Sequence, residues 1–351
     1  MWWVTEIWES GDGMIDRYDP NFVVLGGGTG ISTLLRGLKR FSKNITAIVT
    51  MADDGGSSGM LRRDYGMLPP GDIRNCLVAL ANAEPSLEQL LQYRFSDGKL
   101  EGQNMGNLIL AALSDLYGGF AEGVGEAAQV LRITGKVLPV TMESIRLVAT
   151  FSDESELMGE SLIPKYAWEH DLAINSIRFD TESPEVNPEC LHAIEEANMI
   201  VLGPGSLYTS LIPNVIVPGI ADAIARSEAP LVYVANVMEQ RGETEGMSLT
   251  DHIQALKDHG LTRPIDYALV NDGEVQSDIL SRYSEKGVAP IFVSEEEKTT
   301  LLSRGIEVES GSFAFYKEGY IRHDGLMVAQ RLLSLCDRYH EIHCTGRETA
   351  L

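Results

Sequence analysis

The stretch that decides the fold is NFVVLGGGTG, residues 21–30 of this 351-residue chain. An apolar run, Phe22–Leu25, enters a glycine-rich turn, and apolar residues then recur at helical spacing from Ile31 to Phe41. A buried strand, a glycine turn and a helix in this order predict a βα unit whose backbone passes close to a ligand phosphate. A second strand, Ile45–Thr50, is predicted directly after this helix.

The same alternation of short apolar runs and helical patterns continues along the chain and is typical of βαβ units. It predicts a Rossmann-like α/β fold with a mainly parallel sheet and helices on both faces. Residues 136–180 are rich in Thr, Ile and Val without helical repeats, and they predict a small β-rich excursion from the main sheet. We interpret residues 1–20 as an N-terminal arm and residues 21–340 as one nucleotide-binding domain. A last short apolar run, Ile291–Val293, precedes a terminal helix that Ile321–Asp324 is predicted to begin.

Composition excludes several classes of partner. The chain carries 28 basic and 51 acidic residues and a net charge of −23, whereas proteins that bind nucleic acids or anionic membranes concentrate basic residues. No apolar run is long enough for a membrane span. The N-terminal segment lacks the basic region that opens a secretory signal, so a cytoplasmic protein is expected. A homo-oligomer is compatible with all of these features.

Four of the predicted strands end in polar turns, most of them rich in glycine. These turns are GGGTG (residues 26–30), MADDGGSSG (residues 51–59), GPGS (residues 203–206) and NVMEQRGET (residues 236–244). Because ligands bind outside the carboxyl ends of the strands in open parallel sheets, this coincidence predicts a nucleotide site. No Gly-Lys-Ser/Thr follows GGGTG, which excludes a P-loop, and Ile31 replaces the third glycine of G-x-G-x-x-G.

Two adjacent acids follow the second predicted strand. Asp53 stands where dinucleotide-binding folds place the acid that binds the ribose. Together, Asp53 and Asp54 are candidates for catalytic bases or for oxygen ligands of Mg²⁺, and Ser57 and Ser58 could add hydroxyl contacts. The competing interpretation is a simple Asp-Gly turn followed by serines that cap a helix.

Further candidates begin predicted helices or end predicted strands. Arg74 stands in the first turn of a helix, where the helix dipole disfavours a cation, so an anionic ligand or an acidic partner would explain it. Helix capping alone would explain Asp72, and it competes with ligand contact for Asn107. Arg322 is a candidate phosphate contact. The candidate ligand-binding residues are Gly26, Gly27, Gly28, Thr29, Gly30, Asp53, Asp54, Ser57, Ser58, Asp72, Arg74, Asn75, Asn107, Gly203, Gly205, Ser206, Asn236 and Arg322.

Seven segments together resemble the gluconeogenesis factor family (YvcK-type proteins). They are GGGTG, ITAIVTMADDGGSSGMLR, PPGDIRN, MGNLILAAL, ITGKVLPVT, MIVLGPGSLYTSLIPNVIVPGI and VYVANVMEQRGET, and the resemblance extends from about Asn21 to the terminal helix. This family belongs to the superfamily of 2-phospho-L-lactate transferase, an enzyme of deazaflavin coenzyme synthesis. The DDGGSSG and GDIRN segments have the form found in the gluconeogenesis factors.

The resemblance implies a single Rossmann-like cytoplasmic protein that binds UDP-sugars such as UDP-N-acetylglucosamine. It also implies a role in cell shape and wall synthesis during growth on gluconeogenic carbon sources, and with it an unidentified protein partner of cell-wall synthesis. By position, it places Tyr283 and Arg322 in late segments that close over the sugar nucleotide, the tyrosine on the uracil or sugar and the arginine on the diphosphate. A core aromatic on a helix face is the competing interpretation of Tyr283. The transferase relatives use Mg²⁺ to move a phospholactyl group from a nucleotide diphosphate donor.

Two functional hypotheses follow. In the first, the protein senses a nucleotide sugar and is not an enzyme: amides of residues 26–30 and 203–206 bind phosphates, and Asp53 or Asp54 binds a hydroxyl or a base edge. In the second, it is a Mg²⁺-dependent transferase in which the two acids bind metal or act as base, while Arg74 and Arg322 stabilise developing charge. A dinucleotide-dependent oxidoreductase is disfavoured by the broken glycine spacing. No cofactor is firmly predicted.

Overall fold

A seven-stranded parallel sheet forms the frame of the molecule. The computed structural model describes residues 19–273, 277–284, 287–317 and 320–348, so most of the predicted N-terminal arm (residues 1–20) lies outside the described residues. The strands are β1 Phe22–Gly26, β2 Ile45–Val49, β3 Lys136–Pro139, β4 Leu147–Phe151, β5 Glu156–Met158, β6 Ile174–Phe179, β7 Met199–Leu202, β8 Leu231–Val234, β9 Tyr267–Asn271, β10 Glu307–Gly311, β11 Ala314–Lys317 and β12 Tyr320–His323. The α-helices are α1 Gly28–Leu38, α2 Gly56–Tyr65, α3 Gly71–Leu80, α4 Pro85–Gln92, α5 Met105–Tyr117, α6 Phe120–Val130, α7 Ile163–His170, α8 Pro188–Glu195, α9 Ile212–Val215, α10 Ile220–Arg226, α11 Leu249–Asp258, α12 Ser277–Ser284, α13 Glu295–Ser303 and α14 Gly325–Glu348.

The strand order of the main sheet is β10-β9-β8-β7-β1-β2-β3, and neighbouring strands are parallel throughout. The chain adds β2 and β3 on one side of β1, and later adds β7 to β10 on the other side. The direction of winding therefore reverses between β1 and β7. This reversal is the switch point at which open α/β sheets bind their ligands. The predicted Rossmann-like α/β fold is confirmed.

The central strands are apolar because both of their faces are covered. Every residue of β1, β2, β7 and β8 is buried, as is usual for parallel strands packed between helices. After β7, the apolar chain forms a π-helical turn, Leu207–Leu211, and then α9 and α10. In the part of the chain that the structure describes, no single helix is long and apolar enough to cross a bilayer, although the bent pair Leu207–Val215 and Ile220–Arg226 meets that criterion jointly.

The predicted β-rich excursion at residues 136–180 is present but has different limits. Its first strand, β3, belongs to the main sheet as the edge neighbour of β2. Strands β4, β5 and β6 form a separate antiparallel sheet in the order β5-β4-β6, and α7 lies between β5 and β6 in the chain. Residues that favour strands are the same in both sheets, so the sequence alone could not separate a parallel edge strand from an antiparallel meander.

The end of the chain differs from the sequence prediction. The apolar run Ile291–Val293 forms no strand, and the sheet ends instead with β10, whose polar residues suit an exposed edge. Residues Tyr320–His323 are a strand of the β11–β12 hairpin rather than the first turn of the terminal helix. Helix α14 begins only after Asp324, whose Oδ1 accepts hydrogen bonds from two backbone N–H groups of the first turn.

Two glycines allow α1 and α14 to cross with their backbones in contact. A Cβ atom at Gly37 would overlap the carbonyl oxygen of Gly325, and a Cβ atom at Gly325 would overlap the carbonyl oxygen of Thr33. Any larger residue would therefore force the two helices apart. Because β12 leads directly into α14, this crossing also positions the strand that carries Arg322 and His323.

We expect Gly37→Ala to lower the free energy of unfolding by roughly 1–3 kcal/mol, the usual cost of adding a methyl group to a packed contact. Gly125→Ala is the matched control, because Gly125 lies on the exposed face of α6 and a Cβ atom there meets nothing within 4 Å. The control should be neutral or more stable by up to about 1 kcal/mol, since alanine favours a helix. Urea denaturation followed by circular dichroism measures both variants. Equal stabilities would contradict the backbone contact between α1 and α14.

Candidate functional site

A cavity of about 430 Å³ lies at the carboxyl ends of β1, β2, β7 and β8 and spans the switch point. Its walls are the turns that follow these strands, the segment after β5, and strand β12. The predicted residues that line it are Gly27, Gly28, Thr29, Gly30, Asp53, Asp72, Gly205, Ser206, Asn236 and Arg322. The predicted residues that lie behind its walls are Gly26, Asp54, Ser57, Ser58, Arg74, Asn75, Asn107, Gly203 and Tyr283.

The turns after β1 and β7 are packed against each other. A Cβ atom at Gly30 would lie 2.5 Å from the carbonyl oxygen of Pro204, and one at Gly205 would lie 3.3 Å from the carbonyl oxygen of Gly27. Only glycine permits so close an approach at Gly30. Helix α1 begins at Gly28, and its N-cap residue, Gly27, has no side chain that could cap it; the carboxyl group of Asp72 accepts the N–H of Gly28 instead. The positive end of the helix dipole therefore faces the cavity beside Asp72.

Besides Glu239, whose carboxylate accepts two backbone N–H groups, three acids line this cavity: Asp53, Asp72 and Glu160. Burial and then the nearby Asp53 raise the pKa of Asp72 to about 7, although a hydrogen bond from the Gly28 N–H opposes the shift. Burial, followed by the charges of Asp53 and Asp72, raises the pKa of Glu160 to about 9. The three groups therefore do not all ionise together at neutral pH.

The turn after β8 holds the turn after β7 in place. Asn236 Nδ2 donates a hydrogen bond to the carbonyl oxygen of Gly205 at 2.9 Å. Gln240 Nε2 donates to Ser206 Oγ at 2.7 Å, and Asn236 also donates to Gln240 Oε1 at 2.9 Å. The two turns consequently form one hydrogen-bonded wall of the cavity.

A buried acid, Glu243, holds the chain that follows this wall at Tyr208 and Thr209. Its carboxylate accepts hydrogen bonds from the backbone N–H of Tyr208 and from the hydroxyl group of Thr209, both at 3.3 Å. Burial raises the pKa of Glu243 to about 7, and these donors oppose the shift. The acid thereby fixes the chain immediately after the second glycine turn.

Strand β12 contributes Arg322 and His323 to the cavity. Among the described residues that line it, Arg322 is the single Arg or Lys, and its guanidinium lies 5.6 Å from the ring centroid of Tyr320. His323 Nε2 lies 3.0 Å from the carbonyl oxygen of Ala235, so this nitrogen carries the proton and donates it. Burial lowers the pKa of His323 to about 4, and the ring adds no charge at neutral pH.

Three predicted ligand-binding residues, Ser57, Ser58 and Tyr283, make hydrogen bonds within the protein. Ser57 Oγ donates to Gln103 Oε1 at 2.7 Å, and Ser58 Oγ accepts the first backbone N–H of α3 at 3.1 Å. These bonds join α2 to α3 and to the segment before α5. The hydroxyl group of Tyr283 accepts the N–H of Ile321 at 2.8 Å, which holds β12 in position.

Arg74 donates its hydrogen bonds to neutral amides, while the charges of Asp72 and Asp53 act on it without a hydrogen bond. Its guanidinium donates to Asn107 Oδ1 at 3.0 Å and to Asn75 Oδ1 at 2.6 Å. Burial, and then the charge of Arg94, lowers the pKa of Arg74 to about 10. Arg74, Asn75 and Asn107 therefore form one polar network beside the cavity, and the unfavourable helix position is offset by these acceptors.

Asp53 and Asp54 do not act as a pair. Asp53 lines the cavity, whereas the carboxylate of Asp54 accepts hydrogen bonds from the backbone N–H groups of Glu160 at 3.1 Å and Ser161 at 2.9 Å. Over the described ranges, no group of three or more His, Cys, Asp or Glu side chains is arranged to hold a metal ion. The predicted Mg²⁺ site on the two adjacent acids therefore does not fit this geometry.

Sequence reasoning missed three acids in or beside the cavity, namely Glu160, Glu239 and Glu243. Glu243 stands within the polar turn after β8, and a charged residue just after a fully buried strand was an available signal. Glu160 carried no such signal, because it follows a strand of the small antiparallel sheet, far along the chain from the glycine turns.

Comparisons with known proteins agree with this architecture. The family model described as 2-phospho-L-lactate transferase CofD matches residues 22–313. A crystal structure of a Bacillus halodurans member of the UPF0052 family superimposes with a TM-score of 0.85 and 43% identity, and the match covers 90% of this chain and all of that one.

Relatives that this chain matches over nearly their whole length are named gluconeogenesis factors. A protein of Thermoanaerobacterium thermosulfurigenes is 47% identical over 318 residues, which cover 91% of this chain and 97% of the relative. The gluconeogenesis factor of Bacillus subtilis is 43% identical over 317 residues, which cover 90% of this chain and 98% of the relative. The chain thus belongs to the gluconeogenesis factors within the 2-phospho-L-lactate transferase CofD family.

Proposed function

We propose that this protein binds a UDP-sugar, such as UDP-N-acetylglucosamine, in the switch-point cavity and senses it without transforming it. The observation that carries the proposal is the meeting of two glycine turns, each at the carboxyl end of a central strand, on one cavity. In this proposal the protein acts in the cytoplasm, in cell shape and wall synthesis during gluconeogenic growth, through a protein partner of wall synthesis. The name of the similar gluconeogenesis factors supports only the link to gluconeogenic growth.

The cavity suits a ligand with one anionic part and one polar part. Its volume of about 430 Å³ lies within the usual range for small-molecule sites. The start of α1, which Asp72 shares, and the guanidinium of Arg322 favour a diphosphate. Asp53 and Asp72 supply acceptors for sugar or ribose hydroxyl groups or for a base edge.

We expect calorimetric titration to show that UDP-N-acetylglucosamine binds at least about tenfold more tightly than GDP, NAD or inorganic phosphate, a difference of about 1.4 kcal/mol. The reason is that base, diphosphate and sugar each contact a different wall of the cavity. Uridine alone is the control for the contribution of the base. Equal affinities across this panel would reject a UDP-sugar as the ligand, and native mass spectrometry of the purified protein offers an independent search for a bound nucleotide.

Arg322→Gln should weaken UDP-N-acetylglucosamine binding roughly 10- to 100-fold, because hydrogen bonds to charged groups contribute about 1.5–3 kcal/mol. Arg304→Gln is the matched control, since Arg304 is exposed at the end of α13 and its loss changes the net charge equally. The control should alter the affinity by less than about twofold. Similar losses in both variants would mean that only the overall charge matters and that Arg322 makes no direct contact.

A transferase of the 2-phospho-L-lactate transferase type is the second candidate function. The family match over residues 22–313 favours it, and so does Asp72, whose pKa of about 7 suits a general base at neutral pH. Mg²⁺ would accompany such a reaction, but the described side chains do not by themselves form its site.

Turnover assays separate the two candidate functions. Under our proposal, the protein releases no nucleotide from a nucleotide-linked donor in the presence of Mg²⁺ and an alcohol acceptor. Turnover that falls at least about 100-fold in Asp72→Asn would favour the transferase instead. Asp64→Asn, which removes an exposed carboxylate of α2, is the matched control and should leave any turnover unchanged.

A further inference from the structure

A loop of the small antiparallel sheet delivers Glu160 into the cavity. The loop follows β5 at Gly159, whose φ of 121° is a conformation that favours glycine. Asp54 holds the loop by accepting the N–H groups of Glu160 and Ser161, and a Cβ atom at Gly159 would lie 3.2 Å from Asp54 Oδ2. The position of Glu160 is therefore set by its backbone.

The carboxyl group of Glu160 lacks the hydrogen bonds that its neighbours have. Asp53 Oδ1 accepts the N–H of Gly55 at 3.0 Å, and Asp72 accepts the N–H of Gly28. No N–H or O–H group of the described chain donates to the Glu160 carboxyl. Because such donors favour the ionised form, Glu160 is the least able of the three acids to hold a negative charge.

The titratable groups around Glu160 are mostly acidic. Acids come from the turn after β2, from α3 and from the turn after β8, while β12 supplies one cation and one neutral imidazole. These groups are Asp53, Asp54, Asp72, Glu239, Glu243, Arg322 and His323. A diphosphate would add further negative charge to the same cavity, so an ionised Glu160 would repel it.

We propose that Glu160 enters the site as the uncharged carboxylic acid and determines specificity by donating a hydrogen bond to a phosphate or sugar oxygen of the bound nucleotide sugar. The identity of this ligand rests on the proposed function. A neutral acid can donate a hydrogen bond beside a phosphate without adding charge, and an apolar or crowded site keeps it neutral at pH 7. The pKa of about 9 that burial and the neighbouring acids give Glu160 agrees with this state. Asp54 is then the positioning residue for the donor.

Calorimetric titration with UDP-N-acetylglucosamine in EDTA tests the donor role. Glu160→Gln keeps an N–H donor and removes the titrating group, so its affinity at pH 7 should stay within about threefold of the wild type. Between about pH 7 and about pH 10, the wild type should lose roughly tenfold more affinity than Glu160→Gln, because a pKa of about 9 leaves Glu160 mostly ionised at the higher pH. Ionisation of the uracil affects both proteins equally and cancels in this comparison.

Glu169→Gln is the matched control for this titration. Glu169 is a glutamate of α7 that pairs with Lys165 at 3.8 Å on the surface, and its variant should follow the wild type at every pH. The proposal is overturned if Glu160→Gln loses tenfold or more at pH 7, or if its pH dependence equals that of the wild type. Wild-type binding that requires Mg²⁺ and is lost in Glu160→Gln would also overturn it, because it would identify an ionised, metal-bound carboxylate.

A measurement without ligand separates this inference from the proposed function. The infrared difference spectrum between the wild type and Glu160→Gln at neutral pH should contain the carbonyl band of a protonated carboxylic acid. Absence of this band would overturn the inference even if the UDP-sugar binds. The band together with no UDP-sugar binding would support the uncharged acid and reject only the proposed ligand.

Discussion

The contact between the glycine turns after β1 and β7 is the constraint on which the site depends. Adjacent parallel strands at the switch point bring two turns to the same edge of the sheet, and only small residues let both backbones occupy that space. A Cβ atom at Gly30 would lie only 2.5 Å from the carbonyl oxygen of Pro204, and one at Gly205 would lie 3.3 Å from that of Gly27. The start of α1 faces the cavity as a result, beside Asp72. The turn after β8 reaches the turn after β7 through Asn236 and Gln240.

The charge distribution of the cavity follows from this geometry. The lining of the cavity contains a single guanidinium, that of Arg322, together with the acids Asp53, Asp72, Glu160 and Glu239. Burial of several ionised acids close together is unfavourable, and for this reason the pKa values of Asp72 and Glu160 are raised. The cavity thus combines one permanent cation with acids that hold protons near neutral pH.

Much of the fold and part of the site were predictable because they depend on local patterns. Apolar runs flanked by glycines identified the central strands, and the glycine turns marked the switch point before any topology was known. The β11–β12 hairpin was mistaken for helix because Arg322 and its neighbours carry no decisive periodicity. Glu160 could not be predicted as part of the site, since its contact with Asp54 joins residues separated by 106 positions. Arg74 was assigned to a ligand because the helix dipole was considered without the amides of Asn75 and Asn107, which only the fold brings within reach.

The two adjacent acids after β2, Asp53 and Asp54, have different surroundings. Adjacent carboxylates would form a metal pair only if both faced the cavity, yet Asp53 faces it and Asp54 accepts two backbone N–H groups from the loop of Glu160. The second acid therefore serves the site by joining the small antiparallel sheet to the parallel one. Because this junction places Glu160 in the lining of the cavity, the small antiparallel sheet of β4, β5 and β6 contributes to the candidate site. Asp54, a candidate metal ligand by sequence, accepts the backbone N–H groups that position Glu160, the hydrogen-bond donor of our proposal.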